Sequence, residues 1–568
     1  MKLLSTAALL LALPLPAQQT PIPDQPFVEA IDVSVANVEV TVTDREGRPV
    51  RGLTRGDFDL FVDGRKVEIV NFSEIAEGSP VPTQEASPAP ATAEATPAPP
   101  QAAPPPPPEA PPLSLVVFVD NDNLRPFGRN RVLRQLKGFL DSAVGPRDRV
   151  MLVTHDQGVI VRRPLSSGKE SLAADLAKLE KLAARGVIRD SHARRTLEAI
   201  QSLPCERMDE AEQIARAYAQ EVGNDAKLTL SSLASVVESL SGLEGRKTIL
   251  YVSDGLEMHP GEQAFELVRE MCGGASAVMQ VEDLASRFRA VTQLANADDV
   301  TFYTLESAGV RNFSSASAED NPLQVSGLAA VNMDFEKAGD AQQVLSNLAS
   351  ETGGRAVLNG NDVRADLGRI ASDLRSYYSL GYTPERARDG RVHAIEVKVR
   401  REGVKVRNRM TYTDRPREER LAARVQTALL HGVVDNPLQA ALELVSSQPE
   451  RGQHLVTMRL KLPLKQLVLL SQGKVWTGQL TLWIGARDAA GRIAPVQSVK
   501  VPVRIPAPPG KDQLTGTFAY DLRMRMAERG EQTVAVGIQD DLGHTTSFIT
   551  GAFKVDRKGV TAATASGR

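Results

Sequence analysis

Five short apolar runs stand out along the chain, at 115–119, 150–154, 248–252, 300–305 and 356–358. Each is bounded by turn-forming or charged residues. A continuous apolar run of this length predicts a strand buried on both faces. The segments between them repeat at helical spacing. In 129–143 the apolar positions are Val132, Leu133, Leu136, Phe139 and Leu140, and 172–182 and 211–243 follow the same period. Strand–helix alternation of this kind predicts a parallel sheet covered by helices, a doubly wound α/β domain over 113–414. Val159, Ile160 and Val161 after Gly158 suit an antiparallel edge hairpin. The segment 185–208 breaks the rhythm and reads as an insertion.

On either side the period changes to two. In 27–75, Ile31, Val33, Val35, Val38, Val40 and Val42 alternate with mostly polar residues, and Asp63-Gly64 is a hairpin turn signal. This block reads as a small β-sandwich of immunoglobulin-like or carboxypeptidase-regulatory type. The stretch 76–112 is almost entirely Pro, Ala, Thr, Ser and Glu, with prolines unbroken over 104–108, and reads as a disordered linker. Strand-like runs at 377–384, 394–400 and 404–412 close the α/β domain. The block 421–556 opens with a helix and continues in strand-like runs, which predicts a second β-sandwich. The tail 557–568 is small and polar and is expected to be disordered.

The chain has 568 residues and a formal net charge of -3, so nothing in its charge calls for nucleic acid. Met1-Lys2, the apolar stretch 3–15 and Pro16-Ala17-Gln18 read as a signal peptide over 1–17, cut after Ala17. No later segment approaches the roughly 20 apolar residues of a membrane span, so membrane insertion is not expected. The mature protein is expected in the periplasm or outside the cell. Cys205 and Cys272 then meet oxidising conditions and are expected to pair, the alternative being two unpaired small apolar residues.

Two strand ends carry the candidate chemistry. The first apolar run ends in Asp120-Asn121-Asp122-Asn123, and the third ends in Ser253-Asp254-Gly255. Carboxylates at the carboxyl ends of parallel strands stand where open α/β sheets place ligands. Asp120, Asp122 and Asp254, with Ser253 adding a hydroxyl, suit a hard cation such as Mg²⁺, Mn²⁺ or Ca²⁺. The alternative is that Asp120 and Asp254 only cap turns. Asn121 offers an amide oxygen, and Asn123 is expected to hold the loop or ligate through water.

At these tips the chain resembles the von Willebrand factor A domains. Their metal-dependent adhesion site has an Asp-x-Ser-x-Ser tip, a Thr on a later loop and an Asp on the fourth strand. Asp120 and Asp254-Gly255 match that pattern. Asp122 stands at the first Ser and Leu124 at the second, and Thr229 is the candidate Thr. A third carboxylate partly neutralises the ion, so the resemblance implies altered metal binding, with Ca²⁺ favoured, or none. Val40, Val42, Asp44, Gly47, Pro49-Val50, Gly52-Leu53, Asp57-Phe58 and the closing motif Tyr377 to Pro384 are similar to the VWFA-related domain proteins of Acidobacteria. That resemblance implies an exported protein with an A-domain fold.

No catalytic set is evident. Ser166-Ser167-Gly168-Lys169 spells a nucleophile pattern without its partner motifs and reads as a helix start. Arg125, Arg129, Arg131 and Arg134 read as a solvated helix face, with pairing to the Asp cluster as the alternative. The function expected is a protein-binding, adhesion-type module whose partner is an unknown protein. The alternatives are an envelope scaffold with a vestigial site, or a metal-dependent hydrolase using Asp120, Asp122 and Asp254.

Overall fold

Val38, Val40 and Val42 of the first block lie on one strand, whose partners lie at the far end of the α/β domain; Ile31 and Val33 lie outside the described residues. The computed structural model describes residues 35–81, 112–168, 171–272, 282–310, 327–384, 389–450, 453–506, 515–526, 530–556 and 559–562. The expected signal peptide, most of the proline-rich linker and the end of the tail fall outside them. The chain divides into two units, one of Val33–Leu240 with Glu244–Arg415, the other containing Pro416–Arg568.

The first unit opens with β1 (Ala36–Thr43), β2 (Phe58–Val62), β3 (Arg65–Val67), β4 (Asn71–Ala76) and β5 (Ser79–Pro80). There follow β6 (Leu113–Val119), α1 (Pro126–Ala143), β7 (Arg149–His155), β8 (Val159–Ser167), α2 (Leu172–Leu179), α3 (Gly186–Gln201) and α4 (Met208–Leu240). Then come β9 (Arg246–Val252), α5 (Glu262–Cys272), α6 (Ala285–Ala297), β10 (Val300–Leu305), α7 (Gly327–Glu351), β11 (Ala356–Val357) and α8 (Arg364–Arg375). The unit closes with β12 (Tyr377–Tyr382), β13 (Val392–Val399), β14 (Lys405–Asn408) and β15 (Thr411–Thr413).

β1 pairs antiparallel with β12 and β14, and β2 pairs with β13. The resulting sheets, β14-β1-β12-β4-β5 and β15-β13-β2-β3, share a core that includes Val38, Val40, Leu60, Tyr378, Leu380 and Val397. The first block is therefore not a domain by itself, a correction to the boundaries 27–75 and 113–414. Alternation fixes which face of a strand is buried, not which strand lies beside it. Tyr378 and Tyr382 pack into this core, while Tyr377, on the other face of the strand, packs with Ile75. Strand β4 runs to Ala76 and β5 lies at Ser79–Pro80, within the segment that reads as the start of the linker. Residues 82–111 join β5 to β6, so the α/β domain is inserted between β5 and β12.

The inserted domain has sheet order β11-β10-β9-β6-β7-β8, with β8 antiparallel and the rest parallel. Numbered within the domain this is the order 3-2-1-4-5-6. The order reverses between β6 and β9, and the crevice at their carboxyl ends is the expected ligand position. The fully buried apolar runs of β6 and β9 explain their central place. Ser166 and Ser167 end β8 rather than start a helix.

In the second unit, α9 (Arg417–His431) packs through Leu421, Val425 and Leu429 on Trp483 and Phe548. Among the described residues nine strands follow: β16 (Ala441–Glu450), β17 (Gln453–Pro463), β18 (Leu470–Gln472), β19 (Val475–Arg487), β20 (Gln497–Pro506), β21 (Thr517–Met526), β22 (Gly530–Asp540), β23 (Thr546–Val555) and β24 (Val560–Ala562). They form sheets β16-β17-β21 and β18-β19-β22-β23-β24, with β20 beside β19, around Met458, Leu460, Leu482, Val503 and Val536. Strand β24 lies within the expected disordered tail and pairs with β23, because Val560 is buried against the sheet.

Candidate functional site

The strands around the switch point end flush. Val119 is in register with Thr154 on one side and Val252 on the other, and Val252 with Leu305. The next residues therefore form a row across the sheet edge: His155, Asp120, Ser253 and Glu306. All four are at most 1% exposed. Buried polar groups in such a row demand partners.

Asp120 finds them through one oxygen. Its Oδ2 accepts hydrogen bonds from the Tyr251 hydroxyl at 2.6 Å, Ser253 Oγ at 2.8 Å and Asn123 Nδ2 at 2.7 Å. Its Oδ1 is buried without a hydrogen-bond partner among the described residues. Burial, with the neighbouring Asp120 charge, pushes the Tyr251 phenol well up, so it remains a donor. Glu306 accepts from Gln342 Nε2 at 3.1 Å and from the Asn359 backbone at 2.8 Å. Glu306 was missed in the sequence, although it follows an apolar run just as Asp120 does.

The next positions pair sideways. Asn121 Nδ2 donates to Asp156 at 2.6 Å, and Asp254 Oδ1 accepts from Ser307 N at 2.9 Å and Ser307 Oγ at 2.8 Å. Burial raises the Asp156 carboxyl, but hydrogen bonds from Thr154, Asn121 and Arg162 outweigh it and hold it below its usual range. Asp122 Oδ2 accepts from the Gln157 backbone at 2.6 Å. Burial raises Asp122 above the ordinary carboxylate value. Gly255 has φ +92, and a Cβ there would lie 2.4 Å from the Ala341 carbonyl oxygen.

Thr229 sits on the long helix α4, buried, with Oγ1 3.2 Å from His155 Nε2 and donating to the Asp225 carbonyl at 3.2 Å. Asp122 Oδ2 is 3.5 Å from the same His155 nitrogen. The structure thus joins Asp120 to Ser253, and Asp122 to Thr229 through His155. It hands Asp254 to Ser307.

The insertion lies over the acidic tip. Arg185 N donates to the Asn121 carbonyl at 3.0 Å and Gly186 N to the Leu124 carbonyl at 3.1 Å. Arg185 Nε is 3.5 Å from Asp122 Oδ1, Arg189 Nη1 bonds Asn123 Oδ1, and Arg125 bonds Asp190 on α3 at 2.7 Å. A Cβ on Gly186 would lie 2.6 Å from the Leu124 carbonyl oxygen, so only glycine lets α3 approach this closely. From below, Arg129 is buried and bonds Asn121 Oδ1 and the Leu182 carbonyl. Arg129 is therefore not part of a solvated face; it braces the tip through Asn121. Leu124 is fully buried in the main core. The insertion is fastened at its other end, where Cys205 and Cys272 form a disulfide with Cα atoms 5.4 Å apart.

Mg²⁺, Mn²⁺ or Ca²⁺ needs several oxygens directed at one point. The Oδ1 atoms of Asp120 and Asp122, both buried without a hydrogen-bond partner among the described residues, are two such oxygens, the second lying 3.5 Å from Arg185 Nε. Yet Asp254 is committed to Ser307, Thr229 to Asp225 and His155, and Asp122 to Gln157 and Arg185. Among the described residues no group of three or more His, Cys, Asp or Glu side chains is placed to hold a metal. The arrangement does not fit a metal centre.

No protein-family profile matches the chain, and no curated protein does. Solved structures similar to it include BatB of Bacteroides thetaiotaomicron, 11% identical over 46% of this chain and 97% of that one, TM-score 0.23. Another is manganese-loaded TRAP of Plasmodium vivax, 10% identical over 52% and 92%, TM-score 0.23. A third is a von Willebrand factor type A protein of Catenulispora acidiphila, 9% identical over 80% and 65%, TM-score 0.20. Structural neighbours of the chain thus include von Willebrand factor A proteins. At identities and scores this low the likenesses carry no argument, and the doubly wound fold rests on the strand order.

Proposed function

We propose that the chain is an exported, non-catalytic protein-binding module that meets its partner on the rim of the β6–β9 crevice and does so without a metal. The observation that carries this is apolar. Phe127 is 77% exposed, Val187 50%, Ile188 60% and Val310 64%. Phe127 opens α1 just after the tip, Val187 and Ile188 open α3 where it crosses the tip, and Val310 follows Ser307, whose carbonyl is bonded by Arg131 of α1. Exposed apolar residues gathered on one rim mark interaction surfaces, whereas scattered ones do not. The apolar stretch 3–15 and the disulfide support export, since disulfides persist in oxidising compartments. The two-sheet cores are read as sandwich domains accompanying the module.

The hydrolase alternative, which uses Asp120, Asp122 and Asp254 on a metal, is disfavoured with the metal centre it needs, and His155 supplies no relay base in its place. A base that relays a proton accepts from the nucleophile on one ring nitrogen and is oriented through the other. Here Thr229 and Asp122 both face Nε2, and Nδ1 has no hydrogen-bond partner among the described residues.

A photoreactive amino acid at position 127, in the producing cell, is expected to give one discrete crosslinked product that survives chelation. The same residue at Val392, also exposed, is expected to give none. Equal products at both positions would remove the rim reading, and loss of the product with EDTA would restore the metal-dependent adhesion reading.

A further inference from the structure

A groove of about 580 Å³ opens where the turn after β1, the residue before β11, α8 and β14 meet. Five cations line it: Arg45, Arg355, Arg369, Lys405 and Arg407. Two acids, Asp44 and Glu46, also line it, and these and the acids beside it are already paired. Asp44 and Glu46 are held by Arg48, at 2.7 and 3.1 Å. Asp366 is held by Arg369 at 2.7 Å. The buried Asp373 is shared, one oxygen accepting from Arg407 at 2.7 Å and Arg355 at 3.4 Å. The side chains of Arg45 and Lys405 have no hydrogen-bond or ion-pair partner among the described residues, and Arg355 Nη2 is buried without one.

The cations are also crowded. A Cβ on Gly47 would lie 3.4 Å from Arg369 Nε and 3.7 Å from Arg355 Nη1, so two guanidinium groups flank one glycine. Arg369 and Arg355 are partly balanced by Asp366 and Asp373, so the charge left for an anion is chiefly that of Arg45, Lys405 and the unpartnered Nη2 of Arg355. Guanidinium forks match the tetrahedral oxygens of a phosphate, and an ammonium adds a point charge. The volume falls in the range of small-molecule sites, roughly 300–1,000 Å³, and exceeds what one phosphate fills.

We propose that this groove binds a phosphate group carried on a larger body, either a soluble phosphorylated compound or a phospholipid headgroup. The groove is separate from the β6–β9 rim, and its failure leaves that reading untouched.

Calorimetry of the full chain with inorganic phosphate at low salt tests the chemistry. Cosedimentation with phosphatidylcholine vesicles, with and without phosphatidic acid, tests the source. Saturable phosphate binding is expected. It should weaken about tenfold for each of Arg45→Gln and Lys405→Gln, the size of one charge-assisted hydrogen bond. Those two side chains hold no partner, so the fold should be unchanged. Arg134→Gln, on α1 outside the groove, should leave binding intact. Binding of phosphatidic acid vesicles well above that of inorganic phosphate assigns the headgroup; the reverse assigns a soluble ligand. The proposal is overturned by no saturable binding in either arm, by an equal loss in Arg134→Gln, or by equal competition from acetate.

Discussion

Removing the disulfide tests whether the insertion is held over the acidic tip from its far end. Cys205 and Cys272 are 67 positions apart. The chain-entropy relation for a loop of that length gives about 4 kcal/mol of stabilisation through the unfolded chain. The bridge closes a loop containing α4 and the central strand β9, and it joins the segment after α3 to the end of α5. Those helices also share a satellite core of Leu197, Ile200, Ala215, Tyr218, Phe265 and Val268. Burial there keeps the double variant Cys205→Ala, Cys272→Ala folded, so the loss is expected to appear first as local opening. Hydrogen exchange read by mass spectrometry is the assay. Amides of α3 and α5 should lose protection by up to about a thousandfold, the equivalent of that free energy. Loss should spread to Asn121–Asn123, because Arg185 and Arg189 are carried on the same element. Strands β1 and β12 should be unaffected. If α3 and α5 exchange as in the unaltered chain, the satellite core alone holds the insertion and the reasoning fails.

Gly186→Ala should push α3 off the Leu124 carbonyl at a cost of about 1–3 kcal/mol, the usual range for forced overpacking. Unchanged exchange at residues 121–124 would refute that close approach. Calorimetry with Mg²⁺, Mn²⁺ and Ca²⁺ should show no saturable binding by the unaltered chain. Binding that vanishes in Asp120→Ala, Asp254→Ala would overturn the reading of a tip balanced by arginines. At the opposite edge of the sheet, burial raises Asp298 to about 6 and lowers Lys247 to about 8. Asp298, raised, stabilises fully below its unfolded value of 3.8 and loses that contribution as pH rises through 6. Lys247, lowered, stabilises fully above 10.5 and loses it as pH falls through 8. Each step is on the order of 3 kcal/mol. Urea unfolding of Asp298→Asn and Lys247→Met should therefore differ from the unaltered chain in opposite pH windows, and flat differences would sink the assignment.

What the sequence reveals here depends on whether the information is local. The four long apolar runs became β6, β7, β9 and β10 because burial on both faces leaves an unbroken apolar signature. The tip followed, since Asp120 and Ser253 end those runs. Glu306 ends another by the same rule and was legible in principle. The partners of β1 were not. Val38 shows that one face is buried, but its neighbour Leu380 is specified by pairing across an inserted domain, and no periodicity encodes that distance.

The chemistry at the tip was hidden for a related reason. Asp120, Asp122 and Asp254 look like one cluster when only strand ends are considered. Register places Asp254 beside Ser307, and it places Asp122 beyond His155, under Arg185. The decisive contacts come from an insertion that the strand–helix rhythm marked only as an interruption. Its glycine at position 186 carries the meaning, because that backbone must touch Leu124. A carboxylate's role at a switch point is therefore set by what covers it. In this chain the cover is a helix with arginines at its start. That is why a sequence pattern matching half of an adhesion site leads to an arrangement in which guanidinium groups stand beside the acids.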